Sequence, residues 1–258
     1  MSGVDIKWVF WDAGGPLFPD GMRETGLHEH LMRALRKKGA IFDRKLVERA
    51  EKKVVDSFSP SFIRSLLWEL CRPNHRLYET LLDGLSEELT QSGLAGVLPL
   101  RPEANEVLRQ ISVTYRMVII DPLSAGWIRR ALRKQDMLSL FSMIGVPKRS
   151  LVQRARKDLA SGTSLPIVFD GEEAAPYEKP DTRLFELAVM AVNAEPAACV
   201  LVADRLDTDI VPAKTVGIRT ILFRVGDHIY QQPRFPEEAP DVIIQTLPDL
   251  PRALERLR

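Results

Sequence analysis

The stretch Ile6-Lys7-Trp8-Val9-Phe10-Trp11-Asp12-Ala13-Gly14-Gly15-Pro16-Leu17 decides the fold. Its first half is a short apolar, aromatic-rich run, the pattern of a buried strand. The run delivers one carboxylate, Asp12, onto a loop of small residues and a proline, where backbone can approach a ligand closely. Two later runs end in the same way, residues 116–120 at Asp121 and residues 200–203 at Asp204. Further strand-like runs lie at residues 167–170, 220–223 and 242–244, and residues 137–144 lead into another. Segments of helical period separate them. Strands alternating with helices imply an α/β fold with a parallel sheet covered on both faces. Ligands of such sheets bind at the carboxyl ends of the strands. Asp12, Asp121 and Asp204 therefore converge on one site from three different strands.

Between the first run and residue 98 the pattern is helical. Leu27, Leu31 and Leu35 recur at helical spacing, as do Val47, Ala50 and Val54. Ser59-Pro60-Ser61 reads as a helix start leading into Phe62, Leu66, Leu67 and Leu70. Leu77, Leu81, Leu85 and Leu89 form a last stripe that Gly93 ends. Residues 148–161 are basic and helix-like, and 147–165 reads as an insertion carrying a solvated surface helix. His28 and His30, two apart, do not share a helix face and read as surface residues.

The composition limits the alternatives. The 258 residues suffice for a full core, and 45% hydrophobic with 28% charged residues is ordinary for a globular protein. A formal charge of +1 gives no global field to attract nucleic acid or an anionic membrane. The N-terminal apolar run is too short for a signal peptide or a spanning helix. Cys71 and Cys199 lack metal-type spacing and read as reduced thiols of a cytoplasmic protein.

The first motif, with the nucleophile position at Asp12 and the motif glycine at Gly15, resembles that of the haloacid dehalogenase (HAD) superfamily. Lys179-Pro180-Asp181 with Phe185 resembles its third motif, and Asp204 with Asp209, followed by 213–218, resembles its fourth. The resemblance spans nearly the whole chain. It implies a Rossmann-like core at 1–17 and 98–258 with a helical cap domain inserted at 18–97. It also implies Asp12 as nucleophile, Lys179 as its electrostatic support, and Mg²⁺ held by Asp12, the Gly14 carbonyl and Asp204, with Asp209 supporting the metal's waters. Mg²⁺ suits such a set, because it takes a few carboxylates and retains water.

Ala203 replaces the leading glycine of the fourth motif, and three residues of the first two motifs depart from the family pattern. Gly14 stands where the family's phosphatases carry their general acid, and Pro16 where they carry Thr or Val. Asp121 replaces the Ser or Thr whose hydroxyl donates to phosphate; a carboxylate donates nothing and repels an anion. Ser124 lies too far beyond the strand end to substitute and reads as a helix cap. Asp12, Asp121, Asp204 and Asp209 against Lys179 leave a net charge of −3, which favours capture of a cation. Gly15 and Asp121 are the candidate substrate contacts. The expected activity is Mg²⁺-dependent hydrolysis of a small, phosphorylated substrate through an aspartyl nucleophile, weakened by these departures. The alternatives are a catalytically impaired metal- or ligand-binding protein, and a metal-free dehalogenase-like hydrolase of C–X bonds.

Overall fold

In a computed structural model, residues 4–19, 32–33, 35–56, 62–72, 74–81, 100–121 and 125–258 are described. Leu27, Leu31, His28, His30, Ser59-Pro60-Ser61, Leu85, Leu89, Gly93 and Ser124 lie outside them. The chain divides into two compact units, Met1–Gly21 with Leu98–Arg258, and Met22–Val97.

The larger unit is built on seven strands: β1 (Trp8–Trp11), β2 (Arg116–Ile119), β3 (Phe141–Ile144), β4 (Ile167–Val168), β5 (Cys199–Ala203), β6 (Arg219–Phe223) and β7 (Val242–Ile244). They lie in the order β4-β3-β2-β1-β5-β6-β7, and every pair is parallel. Side chains alternate between two apolar clusters, as the strand period of two requires. Val9 and Trp11 of β1 join Met117, Ile119, Val200 and Val202 on one face. Trp8 and Phe10 join Val118, Cys199 and Leu201 on the other. Both faces are buried, so the strands carry no polar alternation.

Helices cover both faces. The first face packs against α3 (Ala104–Ser112), α4 (Ala125–Lys134) and α8 (Leu250–Arg256). The second packs against α5 (Val152–Ser161), α6 (Thr182–Val192) and α7 (Val211–Val216). Here one expectation is corrected. The helix in residues 147–165 is no merely solvated surface helix: α5 is the crossover that lets β3 and β4 pair in parallel. Its Val152, Ala155 and Leu159 are buried in the second cluster. The basic residues disguised this face, because an amphipathic helix with Lys and Arg on one side reads as solvated when the apolar positions are short and few.

The smaller unit contains α1 (Arg44–Asp56), α2 (Phe62–Cys71) and helical residues 75–81. Its core joins Leu35, Val47, Ala50, Leu66, Leu67, Leu70 and Leu81. Asp43 accepts hydrogen bonds from the Lys45 and Leu46 amides and so caps the start of α1. Trp68 meets His75 and Tyr78 edge-on, with ring centroids 4.7 and 5.4 Å apart. None of the described helices is long and apolar enough to cross a membrane.

Candidate active site

The chain runs outward from β1 through β2 and β3 to β4, then returns to place β5 on the other side of β1. A crevice opens at the carboxyl ends of β1 and β5, where the direction of winding reverses. Trp11 is level with Val202 on one side and Ile119 on the other. Asp12 therefore follows at the strand end, and Asp204 and Asp121 lie one residue further along their own strands.

Asp12, Asp204 and Asp209 are the buried acids here, at 8%, 3% and 1% exposure. A buried carboxylate is costly unless it is paired. Lys179 supplies the pairing. Its ammonium donates a hydrogen bond to Asp12 Oδ1 and lies 2.5 Å from Asp209 Oδ1, with only 6% of the side chain exposed. Lys179 reaches the site from the loop before α6, and the helix starts where the Asp181 side chain accepts from the Arg183 amide. Thr208 steadies Asp209 from the opposite side, its hydroxyl donating to Oδ2 at 2.6 Å.

The charges shift each other. Burial raises the Asp12 carboxyl well above its ordinary range; Lys179 opposes this, while Asp209, Asp121 and Asp204 add to it. Burial alone would lower the Lys179 ammonium, but the attraction of Asp12, Asp209 and Asp121 outweighs it and keeps the proton on. The carboxylates outnumber the ammonium, so the pocket retains surplus negative charge.

Gly15 holds the loop against Asp204. Its φ is +73°, and a Cβ there would lie 2.5 Å from the Asp204 carboxyl carbon. Its carbonyl accepts from Arg101 Nε at 2.5 Å, and the Arg101 guanidinium also lies over the Phe223 ring, 5.7 Å from its centroid. Arg101 was not singled out from the sequence; a basic residue where the chain re-enters the core, next to Pro102, was its only signal. Gln231 was missed as well. It accepts from the Leu206 amide at 2.8 Å and donates to Asp207 at 3.0 Å, tying the proline-rich loop to the turn that carries Asp209. Asp207 is further paired with Arg205 at 3.1 Å.

Asp121 faces the loop after β1. Its Oδ2 accepts from two successive amides, Ala13 N at 2.8 Å and Gly14 N at 3.0 Å. The Gly14 amide is thus engaged, and the residue has no side chain to offer an acid.

An aspartate at the end of the central strand, a lysine from the α6 loop and an acid after β5 thus meet at one place. A HAD-hydrolase-like family model matches residues 176–250, the stretch that holds Lys179, Asp204 and Asp209. Over that stretch the chain is similar to the haloacid dehalogenase-like hydrolases. It is 38% identical to a glyceraldehyde 3-phosphate phosphatase of Pyrococcus furiosus over 31% of this chain and 32% of that protein. It is 30% identical to a glycerol-3-phosphate phosphatase of Gallus gallus over 39% of this chain and 38% of that one. The chain thus spans about a third of the length of the phosphatases it matches. The fold is similar along its full length to that of a 2-haloacid dehalogenase from Pseudomonas syringae pv. Tomato DC3000. There the TM-score is 0.57 at 19% identity, with 98% of this chain and 100% of the other covered.

Proposed function

We propose that this chain is a HAD-superfamily, Mg²⁺-dependent hydrolase of small phosphate monoesters, with Asp12 as the nucleophile. The observation that carries this reading is the buried Lys179 ammonium shared by Asp12 and Asp209 at the β1–β5 crevice. The two phosphatase relatives, named for glyceraldehyde 3-phosphate and glycerol-3-phosphate, favour a small phosphorylated metabolite as substrate. A reducing compartment such as the cytoplasm suits Cys71 and Cys199, both buried free thiols.

The donor set fits Mg²⁺. Asp12, Asp204 and the Gly14 carbonyl are hard oxygen donors, and the surplus negative charge around them calls for a cation. Among the described residues no three acidic, histidine or cysteine side chains form a metal-holding group. The proposed set is two carboxylates and one carbonyl, and Mg²⁺ held by so few protein ligands keeps its waters. Asp209 would order those waters. When bound, Mg²⁺ would neutralise charge on the phosphoryl oxygens and favour the ionised form of Asp12.

In this reading the Asp12 carboxylate oxygen attacks phosphorus as the ester P–O bond breaks, and the leaving oxygen departs with the electron pair. Water then attacks the aspartyl phosphate, releasing inorganic phosphate and restoring the Asp12 carboxylate. Lys179 stays protonated throughout and balances the charge on Asp12. Gly14 offers no proton, so the leaving group must take one from solvent. The absence of a positioned acid costs about 10²–10⁴ in rate, most for poor leaving groups.

The test compares an aryl phosphate with an alkyl phosphate, with and without Mg²⁺, beside an Asp12→Asn control. Expected are metal-dependent release of phosphate, faster from the aryl ester, and its loss in the control. Turnover that survives Asp12→Asn would refute the nucleophile. A second reading, a metal- or ligand-binding protein with little turnover, is favoured by Gly14 and by the carboxylate of Asp121 on the Ala13 and Gly14 amides. It predicts a melting temperature that rises with Mg²⁺ while no phosphate appears.

A further inference from the structure

The two amides that follow Asp12, those of Ala13 and Gly14, donate into the crevice side by side. Successive N–H groups aimed at one point form a concave donor pair that suits an oxyanion. Here that point is Asp121 Oδ2, 2.8 Å from Ala13 N and 3.0 Å from Gly14 N. The bonds are charge-assisted and part-buried, so the carboxylate is held more firmly than a neutral acceptor would be.

We infer that Asp121 is a built-in occupant of an anion seat formed by the Ala13 and Gly14 amides, and that it sets which anions the crevice accepts. An incoming oxyanion must displace the Asp121 carboxylate or bind without these two donors. The apparent affinity is then reduced by the fraction of molecules in which the seat is open. Repulsion by the Asp121 charge is a different effect and leaves the seat itself available. The tethered carboxylate is a competitor that never diffuses away, and phosphate must compete with it for the two amides. This inference rests on the reading of Asp12 as the reacting centre only for its consequence in turnover; the seat is an equilibrium property.

The experiment measures binding of inorganic phosphate and of orthovanadate to the full chain by calorimetry, at fixed Mg²⁺. Asp121→Ala and Asp121→Ser should bind about tenfold or more tightly than the native protein, because the two amides are released for the ligand. Asp121→Asn keeps an acceptor oxygen on the same two amides while removing the charge, and its affinity should stay nearer the native value. If Asp121→Asn gained as much as Asp121→Ala, charge alone would account for the effect and the seat would be refuted. Unchanged affinity in Asp121→Ala and Asp121→Ser would refute it also.

A measurement on the native chain guards against variants that fail to fold. The Ala13 and Gly14 amide resonances should lie downfield in the absence of any added anion. Random-coil positions for both, moving downfield only as phosphate is added, would overturn the inference. Turnover separates it from the proposed function. Tighter anion binding in Asp121→Ala with no hydrolysis by any form of the protein would sink the hydrolase and leave the seat standing. Mg²⁺-dependent hydrolysis by the native chain with unaltered anion binding in the variants would do the reverse.

Discussion

The two sides of the crevice treat buried charge in opposite ways. On the β5 side, Asp209 is buried against the ammonium of Lys179, which it shares with Asp12, and against the Thr208 hydroxyl. On the β2 side, Asp121 has the amides of the neighbouring loop as its partners. A mobile side-chain cation can be redirected toward a ligand; a backbone amide pair can only exchange one acceptor for another. Under the proposed function, the β5 side would balance charge on Asp12 and the β2 side would hold one anion in place.

The largest effect should come from breaking the first side. Lys179→Met removes the cation and leaves Asp12 and Asp209 buried without it. Stripping one partner from a buried ion pair costs about 3–5 kcal/mol. Urea unfolding at neutral pH should report a loss in that range. The pH dependence gives its sign. Asp12 already has a raised folded-state value, so it contributes stability below the ordinary carboxylate range that is lost as pH rises through the folded value. Without Lys179 that value rises further. The gap between variant and native protein should therefore narrow as pH falls from neutral toward 4, a little above the unfolded Asp value. A gap that stays constant with pH would mean that Lys179 acts by packing and not by charge.

A middle-sized effect should come from the loop that joins the two sides. Gly15→Ala asks alanine to adopt a φ of +73° and pushes a methyl group into the Asp204 carboxyl at 2.5 Å. Left-handed backbone and overpacking together cost roughly 2–4 kcal/mol. Thermal melting checks the loss. The stabilisation by Mg²⁺ should shrink at the same time, because Asp204 must move to make room. A variant that lost stability but kept its full response to Mg²⁺ would separate Asp204 from the metal.

The two sides were also unequally legible in the sequence. Six of the seven strands announced themselves as apolar runs, most plainly those buried on both faces, Trp8–Trp11 and Cys199–Ala203; Phe141–Ile144 was read only as part of a segment leading into a strand. The convergence of Asp12, Asp121 and Asp204 followed from parallel strand ends alone. The direction in which Asp121 turns did not. Its side chain could have capped a following helix, and only the structure directs it to Ala13 and Gly14. The crossover helix Val152–Ser161 was misjudged because its buried face consists of only Val152, Ala155 and Leu159 amid Lys and Arg. Arg101 and Gln231 escaped notice because each acts on backbone from a distant segment, 86 and 25 residues away. Such a contact leaves no local pattern.

Gln231 offers the smallest effect and the finest test of the β5 side. Its side chain accepts from the Leu206 amide and donates to Asp207, closing the turn over Leu206–Ile210 from outside the strand. Neither bond touches Asp12, Lys179 or Asp209. Gln231→Ala should cost about 1–2 kcal/mol, since two part-buried hydrogen bonds are lost and the Leu206 amide is left to water. Gln231→Glu keeps the acceptor for the Leu206 amide but sets a carboxylate against Asp207, so it should restore little or nothing. If the turn positions Asp209, Gln231→Ala should also speed hydrogen exchange at the 206–210 amides while leaving those of β1 unchanged. Protection lost equally in both places would mean that the crevice opens as one unit and that its two sides are not independent.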